Sequence, residues 1–197
     1  MIKVGVTGGI GSGKSVVCQI FRVLRIPVFM ADEAGRKILT ENVHVKTMIR
    51  EKLGSAVFDT SGNLDRAKVA ELVFRDKASL ETLNAIVHPA VKAHFLQWMN
   101  GQKEAAYIIK EAAILFESGT AKDLDFIITV TAPNDLRISR VMQRDHVSRK
   151  NVEHRMKNQL SDEEKIKRAH FVICNDEREL LIPQVISIHN ELLKKSV

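Results

Sequence analysis

Near its start the chain carries Gly8-Gly9-Ile10-Gly11-Ser12-Gly13-Lys14-Ser15, the residue types and spacing G-x-x-x-x-G-K-[ST] of a phosphate-binding loop. A triphosphate is bulky and multiply charged. Backbone N–H groups must curl around it, and side chains in the curl would block their approach. Glycines at 8, 9, 11 and 13 leave that space and permit positive φ. Lys14 stands where a following helix begins, so its ammonium can reach the β and γ phosphates. The helix N-terminus adds its own positive end. Ser15 offers a hydroxyl to Mg²⁺, a hard cation that takes oxygen ligands.

Such a loop needs a strand before it and a helix after it. Ile2, Val4 and Val6 alternate on one face of a short apolar strand, and Val17, Ile20, Phe21 and Leu24 recur at helical spacing. Ile26 to Met30 reads as a second strand, with Pro27 at its start where a missing N–H is tolerated. A helix follows, opening with Ala31-Asp32. In open α/β sheets ligands bind beyond the carboxyl ends of the strands, which makes Asp32 the candidate general base. An acid at a helix N-terminus is also stabilised by the helix dipole, and the two roles are compatible.

From Asn42 to Asn100 helical patterns dominate. Val45, Met48, Ile49 and Leu53 share a face, Gly54 and Asp59 to Asn63 mark turns, and Leu64 to Phe74 and Leu80 to Trp98 are helical, with a kink or break expected at His88-Pro89. A helical block at 41–100, inserted into a core formed by 1–40 and 101–197, is expected to hold the phosphate acceptor. Arg66, Lys68, His88 and Lys92 are its candidates for an anionic group. Ala105 to Lys110 reads as a third strand buried in a parallel sheet, with Glu111 at its carboxyl end as a second carboxylate. Ala112 to Glu117 continues as a short helix or loop whose Leu115 and Phe116 can wall a pocket. Phe126 to Val130 and Phe171 to Cys174 supply strands four and five.

Between those two strands, Arg137 to Arg168 holds ten Lys/Arg against five acids. For most of them a solvated helical face is a sufficient account. Arg137, Arg140 and Arg144 share one helix face, Ser148 and Ser161 read as N-caps, and Asn151, Arg155 and Gln159 fall at four-residue spacing. A basic helical excursion here, at 145–169, suits a closing lid. Phosphoryl transfer spreads charge over the γ-phosphoryl oxygens, and arginines on a lid stabilise it while excluding water. Arg140 and Arg144 are the favoured cations, with Arg155 next.

At 197 residues, 45 % apolar and 27 % charged, the chain has the size and composition of one soluble domain with an insertion. The net charge of +6 suits an anionic partner. No apolar run approaches a membrane span, and the first strand begins at once without the profile of a secretory signal, which points to the cytoplasm. Two cysteines, Cys18 and Cys174, are too few for a disulfide framework or a four-ligand zinc site.

Taken in order, Thr7 to Ser15, Ala31-Asp32, Leu83-Asn84-Ala85-Ile86-Val87-His88-Pro89, Leu115-Phe116-Glu117, Gln143-Arg144-Asp145, Arg155 with Gln159, and Val172-Ile173-Cys174-Asn175 resemble the dephospho-CoA kinases along nearly the whole chain. The resemblance implies a P-loop, three-layer α/β/α fold with a five-stranded parallel sheet. It implies ATP-dependent phosphorylation, with Mg²⁺, of the ribose 3′-hydroxyl of dephospho-CoA, and no nucleic-acid or membrane partner, the enzyme acting as a monomer or small homo-oligomer. Asp32 then matches the catalytic aspartate, beside Lys14, Arg140 and Arg144. Gly8, Gly11, Ser12, Gly13, Lys14, Ser15, Val16, Arg155 and Asn175 fall to the nucleotide, and Thr7, Asp32, Arg66, His88, Glu111, Leu115 and Phe116 to the acceptor. The chain departs from the family pattern at Met30 and Glu111, where Asp is frequent, at Ala113, where a Pro-Leu-Leu stretch usually begins, and at Val16, where Thr is common. Two other readings share the loop. One is a kinase for another nucleoside or nucleotide. The other is a nucleotide-binding protein that uses its basic face on nucleic acid, against which stand the missing aromatic-rich basic patch and the missing Asn-Lys-x-Asp guanine motif.

Overall fold

The computed structural model describes residues 1–196, the side chains of Arg66 and Phe74 excepted. In chain order its elements are β1 (Ile2–Thr7), α1 (Lys14–Val23), β2 (Val28–Met30), α2 (Ala31–Glu41), α3 (Val43–Leu53), α4 (Arg66–Arg75), α5 (Lys77–Asn100), β3 (Tyr107–Glu111), β4 (Phe126–Thr131), α6 (Asn134–Asp145), α7 (Arg149–Lys157), α8 (Asp162–Arg168), β5 (Phe171–Cys174) and α9 (Leu181–Lys195). They form two compact units, Met1–Met30 with Gln102–Val197, and Ala31–Gly101. The division falls at Met30/Ala31, so α2 belongs to the helical unit, where the sequence reading kept residues up to 40 with the sheet.

The first unit is a five-stranded, all-parallel sheet in the order β2-β3-β1-β4-β5. Alternation along each strand decides what covers each face. Val4, Val6, Tyr107, Ile109, Ile128, Val130 and Ile173 pack with Val17, Cys18 and Phe21 of α1 and Val185, Ile188 and Leu192 of α9. Full burial of a side chain such as Phe21 contributes about 1.5–3 kcal/mol. On the opposite face, Gly5 lies beneath Leu115 and Leu124, and the Thr129 hydroxyl donates to the Lys165 carbonyl of α8 at 3.4 Å. Strand two is shorter than expected, with Ile26 and Pro27 outside it. Strand three is shifted to Tyr107–Glu111, which makes Glu111 its last residue rather than one beyond it.

Cys18 lies 1 % exposed in this core. Burial, and secondly the Glu111 carboxylate, push its thiol up to about 12. A thiol so placed is inert. Ellman's reagent at pH 8 is therefore expected to modify Cys174 alone in the native protein and Cys18 only in denaturant. Rapid labelling of both thiols without denaturant would contradict this packing.

The second unit buries Ile38, Val45, Ile49, Val57, Phe58, Leu64, Val69 and Ile86 between its helices. Asn42, Asp65 and Asp76 cap α3, α4 and α5 through side-chain oxygens that accept backbone N–H bonds. Asp59 Oδ1 accepts from Ser61 N and Asn63 N and shapes the turn that joins the bridge partners Phe58 and Leu64. Of the kink or break expected at His88-Pro89, the break does not occur, since α5 runs from Lys77 to Asn100 with Pro89 inside it. Pro89 cannot donate to the fourth carbonyl before it, but Ile86 and Phe95 are buried on either side and α5 packs against α2, α3 and α4. Tertiary burial outweighs the local cost of about 3 kcal/mol.

Candidate active site

The loop Gly8–Ser15 leaves the carboxyl end of β1 and runs into α1. Gly13, at φ +94°, is the N-cap residue, and no side chain caps the helix. A β-carbon there would strike the Asn175 amide, so the backbone sign and the close neighbour both demand glycine. Val16 N and Val17 N donate to Gly13 O, and Ser12 N donates to Gly9 O at 3.1 Å. Lys14 is 9 % exposed and folds back over the loop, its Nζ donating to Gly8 O at 3.0 Å and to Gly9 O at 3.4 Å. Ser15 and Val16 are exposed on the first turn of α1. The hydroxyls of Thr7 and Ser12 are fully buried and have no hydrogen-bond partner, a condition that a polar ligand or water at the loop would relieve.

The candidate residues around the loop divide into braces and exposed groups. Asn175, after β5, donates through Nδ2 to Ser12 O at 2.8 Å. Arg140 Nη1 lies 3.5 Å from Gly11 O, and its guanidinium also donates to Asn175 O at 3.3 Å and to Glu177 Oε1 at 3.0 Å. Arg140 therefore ties α6 to the loop and to the segment after β5. Arg144 is largely exposed and forms a two-bond pair with Asp145, at 2.7 and 3.1 Å. Arg155 joins the same carboxylate at 2.9 Å. These bonds, Arg144's first, hold the Asp145 carboxyl below its ordinary range. Gln159 lies beyond the end of α7, off the helical row expected with Asn151 and Arg155. Ser148 and Ser161 cap α7 and α8 as expected.

Glu111 is 4 % exposed at the end of β3, in register with Val6 and Met30. Leu115 is fully buried. Phe116 is half-buried, with the Arg168 guanidinium 5.9 Å from its ring centroid. In the helical unit, Asp32 is the exposed second residue of α2, two residues past the end of β2. His88 is half-buried within α5, and Lys68 Nζ reaches Phe58 O at 3.4 Å. The side chain of Arg66 lies outside the described residues.

Two arrangements were not read from the sequence. Glu117 accepts from Leu160 N at 2.8 Å and lies 3.3 Å from the Nζ of Lys165, which is fully buried. Arg137, expected on one helix face with Arg140 and Arg144, is buried and paired with Asp162 at 3.0 Å. A partner 25 positions away leaves no periodic trace. Glu117 at least stood within a recognisable stretch, Leu115-Phe116-Glu117.

The strand order and the lysine-bearing loop at the carboxyl end of its central strand place the chain among the P-loop kinases. The sequence model for dephospho-CoA kinase matches residues 2–180. A dephospho-CoA kinase of Bacteroides fragilis is 40 % identical over 194 residues, which span 98 % of this chain and 94 % of that one. Among solved structures, TT1252 from Thermus thermophilus is 34 % identical with a TM-score of 0.83, over 98 % of this chain and 97 % of that one. A dephospho-CoA kinase from Campylobacter jejuni is 28 % identical with a TM-score of 0.71, over 99 % and 98 %. The chain belongs to the dephospho-CoA kinase family, which phosphorylates dephospho-CoA with ATP in the last step of coenzyme A biosynthesis. Among the described residues no helix is long and apolar enough to cross a membrane.

Proposed function

We propose that Gly8, Gly11, Ser12, Gly13, Lys14, Ser15 and Val16 hold ATP, and that Asp32 receives the proton of the ribose 3′-hydroxyl as its oxygen attacks the γ-phosphorus in line. The observation that carries this reading is the Lys14 ammonium, 3.0 Å from Gly8 O over the glycine loop and at the start of an uncapped helix. A cation so held is preorganised for charge that grows on the transferring phosphoryl group. Arg140 and Asn175 support the loop from α6 and from the end of β5. Arg144 and Arg155 share Asp145 and are the cations available to the lid, 145–169.

Thr7, Glu111, Leu115 and Phe116 contribute the acceptor wall in the sheet unit, and Arg66 and His88 contribute to acceptor binding from the helical unit at 41–100. Among the described residues no cluster of three His, Cys, Asp or Glu could cage a metal. That suits Mg²⁺, which takes one or two protein oxygens together with phosphate and water. Ser15 would hold it, and it supplies charge neutralisation on the phosphates. In this reading the enzyme is cytoplasmic, has no nucleic-acid or membrane partner, and works as a monomer or small homo-oligomer.

A coupled ADP-release assay with ATP, Mg²⁺ and a panel of acceptors tests the proposal. Dephospho-CoA is expected to gain the mass of one phosphate at the 3′ position. Transfer to another nucleoside or nucleotide instead would keep the loop assignment and remove the acceptor assignment.

A further inference from the structure

Ile10, at the tip of the loop, is held from three sides. Its side chain packs on Ile138 and Val141 of α6 and Val152 of α7. Its N–H donates to Gln159 Oε1 at 2.8 Å, and its carbonyl accepts from Arg137 Nε at 3.0 Å. Arg137 is 5 % exposed and its Nη1 donates to Asn134 Oδ1 at 3.2 Å and to Asp162 Oδ2 at 3.0 Å. A planar fork with fixed donors suits this work, because it spreads its N–H groups over separated partners, whereas an ammonium presents its donors from one point. The loop is also cut to fit the same residue. A β-carbon on Gly9 would run into the Arg137 guanidinium, and one on Gly11, at φ +79°, would run into the Arg137 carbonyl.

We infer that Arg137 and Gln159 are positioning residues that set the shape of the nucleotide loop through Ile10. Gln159 and Asp162 flank the turn between α7 and α8, so the curl of the loop and the seating of that turn form one mechanical unit. The Nε and Nη1 donors of Arg137 are engaged by protein oxygens, and the residue acts on the loop through the backbone of Ile10. The inference rests on the reading of Gly8–Ser15 as the ATP site.

The test uses purified full-length variants, with ATP-analogue binding, separate KM values for ATP and dephospho-CoA, and thermal midpoints. Gln159→Leu is expected to raise KM for ATP about tenfold, through loss of the bond that holds the half-buried Ile10 N–H, with KM for dephospho-CoA unchanged. Gln159→Glu keeps the acceptor and is expected to stay within about threefold of wild type. If Glu were worse than Leu, the amide would be donating to an anion, and the positioning role would be lost. Arg137→Met is expected to raise KM for ATP by about 10- to 100-fold, with Arg137→Lys intermediate. Gly9→Ala should add little in the Arg137→Met background, because its clash is with the guanidinium, and additive effects would argue against the fit. Lys14→Met separates the two levels. If it leaves both ATP affinity and turnover intact, the loop reading and this inference fall together. If it impairs either of them while Gln159→Leu and Arg137→Met leave KM for ATP unchanged, only the inference falls.

Discussion

Lys14→Met is expected to lower turnover by about 10²–10³-fold, the scale seen when one preorganised donor to a developing charge is removed. Methionine keeps an unbranched stem of similar length, so the variant tests the ammonium rather than packing. The side chain is nearly buried and bonds to Gly8 O and Gly9 O. Desolvating a buried ammonium offsets much of what its contacts contribute. The thermal midpoint is therefore expected to move by only a few degrees while kcat collapses, the pattern of a group kept for chemistry. Steady-state kinetics beside a melting curve decide it. Near-normal turnover, or loss of activity through unfolding alone, would remove Lys14 from the catalytic role.

Asp32→Asn is expected to cost about 10²–10⁴ in kcat, the range for a positioned general base. The exchange keeps the size and removes the charge and the capacity to take a proton. Asp32 is exposed at the second position of α2, so the stability loss is limited to its favourable placement near the helix dipole, about 0.3–1 kcal/mol. ATP affinity should be retained, because the nucleotide loop belongs to the other compact unit. Single-turnover phosphoryl transfer with ATP-binding measurements separates these effects. Rapid transfer by the variant would assign the proton to another group, for which Glu111, buried at the end of β3, is the other carboxylate at a strand end.

The parts of this molecule that were legible in the sequence are those written in local pattern. The loop declares itself through spaced glycines and a lysine, and the five strands through short apolar runs bounded by turns. The caps at Ser148 and Ser161 follow from residue type and the residues three positions on. Pro89 shows a limit of local pattern, because it does not end α5, whose packing against α2, α3 and α4 offsets the bond it loses. The arginines of α6 show a second limit. Spacing placed Arg137, Arg140 and Arg144 on one face, yet the first is buried against Asp162, the second braces the loop and Asn175, and the third lies exposed beside Asp145. Those fates depend on residues distant in sequence, which periodicity does not encode. For the same reason the partnership of Lys165 with Glu117 gave no advance sign.

The strand order also dictates a timetable for synthesis. Both neighbours of β1 are translated more than a hundred residues after it, since Val6 pairs with Glu111 on one side and Ile128 on the other. At typical elongation rates the first strand waits about 5–20 s for a partner. The helical unit, closed by contacts within 31–101, can complete its core in that interval. Ser12 gains its Asn175 brace only when the fifth strand has emerged. A nascent chain arrested before that point would carry the whole glycine loop yet lack the groups that shape it. Competence to bind nucleotide is thus a property acquired near the end of translation, although its best-known residues are among the first to be made.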